Sequence, residues 1–421
     1  MTSLIIFLSL AIFMSAGYLV WPSRYNVISH LTLGGNFIAT FVPAIILETH
    51  NEFSPVVVEL YAKILLVGGI CFVIGLYFGF SRPTLNRKFS YDVLGEMLYQ
   101  KRVIKLTKLL LIISIVMLII SYLAMGFVPM FAADPLLAKF FRGQYQAPYM
   151  RVAILFRTSF YILSTILPIA AIIWYQGKSK FFLIAIIAAV FLMALSLSRS
   201  PAFSGLVLAF ALVMSFKSKM HFRLLLITLI GIYVFSSVFY YLVGVRELDY
   251  SNFKTNHPYW EIIASGSPDI SDQLQFMEKY YQYPLPTFGR TIYGGLIPGH
   301  YEWNPGVYTL TVLSTGEELN DSVSGGLRLP VAVWGYVSFE WIGVVLFSFL
   351  SGFFYGYFLK YLKQILLKDN SLVVKMVLIV LFNVVFSNFY YFYILSIYMV
   401  PPTIIMLLYM FRFKTKTLKS L

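Results

Sequence analysis

Apolar runs long enough to cross a lipid bilayer recur from Leu4 to Met410, and this recurrence constrains the fold more than any other feature of the chain. A spanning helix needs about 20 apolar residues to cross roughly 30 Å of hydrocarbon. Eleven windows meet that requirement: Leu4 to Val20, His30 to Leu47, Val56 to Phe80, Leu106 to Phe127, Val152 to Tyr175, Phe181 to Ser198, Pro201 to Phe216, Leu224 to Val243, Trp341 to Phe358, Leu372 to Asn388 and Tyr391 to Met410. With 59% apolar and only 12% charged residues, the chain carries more apolar side chain than a water-soluble core accommodates. The expected fold is all-α, a polytopic transmembrane helical bundle of eleven spans with one large outer loop. The first window has no basic leader and no convincing cleavage site, so it is expected to be a retained helix.

Lysine and arginine favour the cytoplasmic side of short loops. An outside N-terminus gathers Arg82, Arg87, Lys88, Lys101, Arg102 and Lys105 in one inner segment and Lys360, Lys363 and Lys368 in another, and leaves Arg412, Lys414, Lys416 and Lys419 in an inner tail. Fewer basic residues then fall outside, among them Lys139, Arg142, Arg151, Arg199, Arg246, Arg290 and Arg328. The net charge of +14 is spread over inner loops and fits anionic headgroups better than nucleic acid. The sole cysteine, Cys71, lies in an apolar run, which rules out an intrachain disulfide and a multi-thiolate metal site.

Three regions follow: residues 1–243 with helices one to eight, residues 244–340 as a large loop on the outer face, and residues 341–421 with helices nine to eleven and a basic inner tail. The 97-residue loop mixes both signs of charge, and long loops in compact folds are usually functional. Ser267-Pro268-Asp269 reads as a helix start, with Ile270, Leu274, Met277 and Tyr281 at helical spacing and a stop near Tyr283-Pro284. The turn signals Phe288-Gly289-Arg290, Gly294-Gly295, Pro298-Gly299-His300 and Asn304-Pro305-Gly306 argue against long regular elements beyond it. Val331 to Phe339 is apolar too, but fusing it with the ninth span would bury Glu340 in lipid at a cost of roughly a few kcal/mol. An interfacial or re-entrant helix with Glu340 near the outer surface is expected instead. A second outer loop, Val128 to Arg151, brings Arg142, Phe140, Phe141, Tyr145 and Tyr149, so two outer loops could line one vestibule.

In ALSLSRSPAF, Arg199 ends the sixth span, and Ser200 and Pro201 take the N-cap and first helical position of the seventh. Free backbone N–H groups and the positive helix end beside a guanidinium suit phosphate oxygens. The same residues fit a tight hairpin whose arginine reaches headgroups. Arg328-Leu329-Pro330 repeats the arrangement, and Arg246 closely follows the eighth span. Arginine outnumbers lysine outside and lysine outnumbers arginine inside, which favours planar, two-pronged anion recognition on the outer face. Arg157 lies more than a turn inside the fifth span and needs a partner, water or a phosphate. Glu59 and Lys63, four apart, are expected to pair with each other. Acid/base candidates are His257, His300, Glu302, Glu317, Glu318, Asp321 and Glu340, with His300 aimed by the preceding turn. Tyr259, Trp260, Tyr280, Tyr281, Tyr283, Tyr301 and Trp303 can stack on sugar faces or pack the loop at the membrane interface.

The SLSRSP turn, the loop segment FGRTIYGGLIPGHYEWNP and the glycine-punctuated return GYVSFEWIGVVLFSFLSGFFYGYF together resemble the Wzy-type oligosaccharide repeat unit polymerases, which share an architecture with O-antigen ligases. The resemblance implies a GT-C-like glycosyltransferase in the bacterial inner membrane, working on the outer face with undecaprenyl-pyrophosphate-linked oligosaccharides. It implies a chain-length regulator and a flippase as partners besides membrane lipids. A hydroxyl of one repeat unit would attack the anomeric carbon of the growing chain and release the carrier pyrophosphate, with no cofactor and no metal. Arg199, Arg246 and Arg328, with Arg142, Arg157 and Arg290, would bind the substrate, and His300 or Glu318 would take the hydroxyl proton. Two other readings are an O-antigen ligase, which shares the chemistry with another acceptor, and a flippase or transporter, which would need a polar path through mid-membrane.

Overall fold

The computed structural model describes residues 2–33, 53–83, 97–197, 199–242, 269–297, 301–313, 326–368 and 371–414, and no β-strand occurs among them. Six of the described helices are long and apolar enough to cross a bilayer: Thr2–Val20, Pro55–Ser81, Lys101–Phe131, Ala153–Gly177, Val331–Leu366 and Leu372–Tyr390. Lys180–Ala194, Phe203–Lys217 and Ile397–Tyr409 are shorter apolar helices, and Lys219–Leu242 adds a 24-residue helix at the eighth expected window. The chain is a helical membrane protein. The second window begins helical at residues 27–33, and the rest of it lies outside the described residues.

The tightest packing joins the Pro55–Ser81 helix to the Val331–Leu366 segment. A Cβ at Gly75 or Gly79 would run into the carbonyl oxygens of Phe349 and Phe353, and a Cβ at Gly352 or Gly356 would run into those of Phe72 and Leu76. The register rises together on both helices, so the two run parallel. Lipid tails are as apolar as leucine and give helices no hydrophobic reason to associate. Close backbone contact supplies dispersion instead, and only glycine permits it.

Val331–Leu366 is not one rod. Phe339 (φ −146°, ψ 30°) and Glu340 (φ 52°, ψ −137°) leave the helical region, and Gly335 and Gly343 touch backbone to backbone. Eight residues of straight helix would hold those glycines about 12 Å apart. The chain therefore reverses at Phe339-Glu340 into a helical hairpin, with a short first arm at 331–338 and a long second arm at 341–366. The apolar stretch does not fuse into one rod with the ninth window, and Glu340 is exposed at the tip. A Cβ at Gly68 would meet Ala332 Cβ at 2.5 Å and Ser348 Oγ at 3.0 Å, so both arms dock on the same helix at the same height.

The loop helix forms at Asp269–Gln282, where the sequence places it. It buries Ile270, Leu274, Phe276, Met277 and Tyr280 against Tyr61, Tyr308 and Trp334, while Tyr281 turns outward. At the opposite end, Tyr25, Phe216 and Lys375 cluster, with Lys375 Nζ 4.3 Å from the Phe216 ring, and Lys178 and Lys217 reach the Tyr175 ring. His30 is buried there with both ring nitrogens engaged, by Tyr18 and by the Arg24 carbonyl. The residues assigned to the inner side thus gather at one end of the bundle.

Three boundaries differ from expectation. The sixth helix stops at Ala194, because Ser196 Oγ donates to the Met193 carbonyl at 2.7 Å and Leu197 takes a positive φ of 60°. The seventh starts at Arg199, so Ser200 and Pro201 sit within its first turn, where proline removes no helical hydrogen bond. The last window is helical only from Val400, after two short turns at Phe392–Ile394 and Ile397–Met399. Pro401-Pro402 marks that start.

Replacing Gly75 or Gly352 with valine is expected to lower the thermal midpoint in detergent sharply, at a cost of about 1–3 kcal/mol for overpacking. Gly177→Ala, where nothing lies within 4 Å of the added methyl, is expected to leave it unchanged or raise it.

Candidate functional site: a recessed outer cleft

Three interruptions of helical backbone lie away from the Lys178, Lys217 and Lys375 end of the bundle, on the side expected to face outward: the turn at 195–197, the start of the hairpin's first arm, and the break at 391–399. In hydrocarbon such backbone survives only where protein or water satisfies it. Met130 N donates to the Leu195 carbonyl at 3.0 Å, so the Val128 loop closes the first. The Tyr122 hydroxyl donates to Leu192 O at 2.8 Å just below.

The depth of the other two follows from the hairpin. The Pro55–Ser81 helix has 27 residues, about 40 Å, which exceeds the hydrocarbon thickness. Gly68 sits at its middle, and Ala332 packs there. Arg328, just before the first arm, stands alongside the Pro55–Ser81 helix, tied through Gln273 to Tyr61 in that helix's first half. The break at 391–399 lies at a similar height: Ser351 Oγ donates to the Tyr390 carbonyl at 3.1 Å, and Phe347 packs on Phe392 and Tyr393.

Two arginines flank this break. Arg157, one turn inside Ala153–Gly177, donates from Nε to the Tyr149 hydroxyl, and its guanidinium lies 5.4 Å from the Tyr149 ring and 5.0 Å from the Tyr398 ring. Tyr161 stacks on the far partner, 5.4 Å from Tyr398 at 20°. Burial pushes the Tyr149 phenol up, and the Arg157 charge opposes that. Arg328 is exposed and lies within electrostatic range of Tyr391. Its carbonyl accepts from Gln273 Nε2 at 2.7 Å, and Gln273 in turn accepts from the Tyr61 hydroxyl. The loop helix thereby fixes where Arg328 stands. Neither guanidinium meets a carboxylate among the described residues. The expected ion pair forms elsewhere, between Lys63 and Glu59 at 2.7 Å.

The large loop also reaches the break directly. Leu395 N donates to the Ile292 carbonyl at 3.1 Å and Ile397 N to the Gly295 carbonyl at 2.9 Å. Arg290 opens this strip, but its guanidinium lies 4.6 Å from the Trp303 ring centroid and covers it. Trp303 is buried beneath, with Nε1 donating to Glu302, so Trp303 offers no face to a sugar. Tyr280 is likewise buried, whereas Tyr281 and Tyr283 are exposed.

Arg142 belongs to the other outer loop, over the Phe140 ring at 5.5 Å, with a buried Nε that has no hydrogen-bond partner among the described residues. Phe141 stacks flat on Tyr149 at 3.7 Å, which links this loop to Arg157. The structure thus brings Arg157 and Arg328 to one break, with Arg290 beside it. The Arg199 side chain, Arg246, His257, His300, Glu317, Glu318, Asp321, Tyr259 and Trp260 lie outside the described residues. No group of three or more metal-ligating side chains occurs among the described ones.

Sequence reasoning missed Tyr391, Tyr393 and Tyr398, because an unbroken apolar window hid the break. The pair Pro401-Pro402, ten residues into that window's tyrosine-rich start, was the available signal. Comparison with protein-family models, curated proteins and solved structures finds no match.

If the cleft is recessed and water-filled, single cysteines at Arg328 or Tyr391, made in a Cys71→Ser background, will react with a membrane-impermeant maleimide added to the outer side. A cysteine at Ile64, which is fully buried between helices, will not. Absence of labelling at both cleft positions overturns the geometry.

Proposed function

We propose that the chain is a membrane glycosyltransferase that polymerises undecaprenyl-pyrophosphate-linked oligosaccharide repeat units on the outer face of a bacterial inner membrane. The observation that carries this reading is the pair Arg157 and Arg328, two guanidinium groups without acidic partners among the described residues, flanking one helix break. Arginine binds phosphate oxygens in two places while keeping its charge, which suits the pyrophosphate of a lipid carrier. The helical membrane fold and the resemblance in SLSRSP and FGRTIYGGLIPGHYEWNP support the same reading.

In this scheme the non-reducing hydroxyl of an incoming repeat unit attacks the anomeric carbon of the growing chain. The new glycosidic bond forms as the bond from that carbon to the pyrophosphate oxygen breaks. Both electrons of the broken bond leave with the carrier pyrophosphate. Arg157, Arg328 and Arg199 neutralise the charge that develops there, an effect strongest where water is scarce. His300 or Glu318 accepts the hydroxyl proton. Arg142, Arg246 and Arg290 extend the positive field along the outer loops and draw the anionic carrier in. The arginine pair also supports this reading over a transporter, since it sits at one end of the bundle rather than along a path through it.

Purified protein given lipid-linked repeat units is expected to yield a ladder of products and free carrier pyrophosphate. Arg199→Ala and Arg157→Ala are expected to abolish extension while expression and membrane insertion persist. Arg157→Lys keeps the charge but loses the two-ring packing and is expected to fall at least about tenfold in rate. Normal ladders from the alanine variants would overturn the scheme.

A further inference from the structure

The hairpin tip carries an acid for which neither the fold nor the proposed chemistry has a use. Glu340 holds φ at 52°, a left-handed conformation that costs a non-glycine residue of order 1–3 kcal/mol. Its carboxylate is exposed, and no cation pairs with it among the described residues. Two other loop acids are engaged: Glu278 accepts from Ser54 N at 3.1 Å and Glu302 from Trp303. A turn of this shape is met without strain by glycine, so a glutamate here needs another reason.

The surroundings of the carboxylate are aromatic. Tyr336 and Trp341 meet edge to face at 5.8 Å and 77°, and Tyr280 meets Tyr336 at 6.3 Å and 69°. Successive near-perpendicular rings build a corner rather than a stack. The Glu340 charge is felt at the hydroxyls of both tyrosines. An anion beside a corner of aromatic rings suits an ammonium ion, which rings attract by their quadrupoles and a carboxylate by charge and hydrogen bond.

Which ammonium follows from what lies next to it. Phe339, Trp341 and Ile342 are exposed beside the carboxylate, and Ile342, Val345 and Leu346 continue as an exposed apolar strip down the second arm. An oligosaccharide or a soluble amine would leave that strip uncovered. A phospholipid supplies an ammonium at headgroup height and acyl chains below it.

We propose that Glu340, Tyr336, Tyr280 and Trp341 form a binding site for the primary ammonium of a phosphatidylethanolamine headgroup in the outer leaflet. The bound lipid clamps the hairpin tip and so holds Arg328, at the other end of the first arm, at its depth. The site requires no glycosyl transfer and stands whether or not the polymerase reading does.

The test uses purified full-length protein in detergent, titrated separately with phosphatidylethanolamine and phosphatidylglycerol, with bound lipid counted by native mass spectrometry and thermal midpoint as second readout. Phosphatidylethanolamine is expected to bind and raise the midpoint of the wild type, and phosphatidylglycerol to do so much less. Glu340→Gln is expected to weaken phosphatidylethanolamine binding roughly tenfold. Glu340→Gly is expected to melt higher than wild type without lipid, because the strain is gone, and to lose the lipid response as well. Equal phosphatidylethanolamine binding in the wild type and both variants overturns the proposal. So does a wild type that ignores the lipid but is stabilised by free glucosamine, which would assign the carboxylate to a sugar ligand.

Discussion

Backbone-to-backbone contact between the Pro55–Ser81 helix and the long arm of the hairpin sets the geometry on which the outer cleft depends. Gly75, Gly79, Gly352 and Gly356 let carbonyls of one helix sit where side chains of the other would be. Helices this close cannot slide, since each carbonyl is trapped between turns of its neighbour. The register is thus fixed, and with it the height at which the hairpin reverses. Because Gly68 receives Ala332 and Ser348 together, the first arm begins level with the middle of the Pro55–Ser81 helix rather than at its end.

From that depth the cleft follows in steps. Arg328 stands at the start of the arm, held by the relay from Tyr61 through Gln273. The 391–399 break faces it and is bonded to the loop strip at Ile292 and Gly295. Arg157 approaches from the other side between Tyr149 and Tyr398. A half-buried guanidinium with no counter-charge among the described residues is costly in lipid, and aromatic faces with one phenol oxygen offset only part of that cost. The remaining attraction for an anion is what a site for an anionic lipid carrier needs.

Much of this was legible in the sequence. Helix length and apolarity identify the long spans, because the bilayer imposes one thickness on every crossing. The loop helix at Asp269 and the pairing of Glu59 with Lys63 come from local rules of spacing that tertiary packing did not override. The cost of burying Glu340 pointed to the reversal at the hairpin tip. What stayed hidden was depth and partnership: Val331 to Phe339 reads as interfacial, and only packing on Gly68 shows how far it descends. The tyrosines around Arg157 come from three separate segments, and no single-sequence pattern joins Tyr149, Tyr161 and Tyr398. Trp303 reads as a sugar platform until Arg290 is seen to cover it.

The Lys180–Ala194 helix has a wider consequence. Its 15 residues reach about 22 Å, shorter than the hydrocarbon they meet. Leu183, Ile184, Ile187 and Phe191 are exposed along it, so this side of the protein presents a low hydrophobic wall to lipid. Acyl chains beside that wall are favoured to tilt or compress, whereas those beside the 25- to 29-residue helices need not. Mismatch of this kind couples a protein to bilayer thickness, and here the coupling is concentrated on one flank.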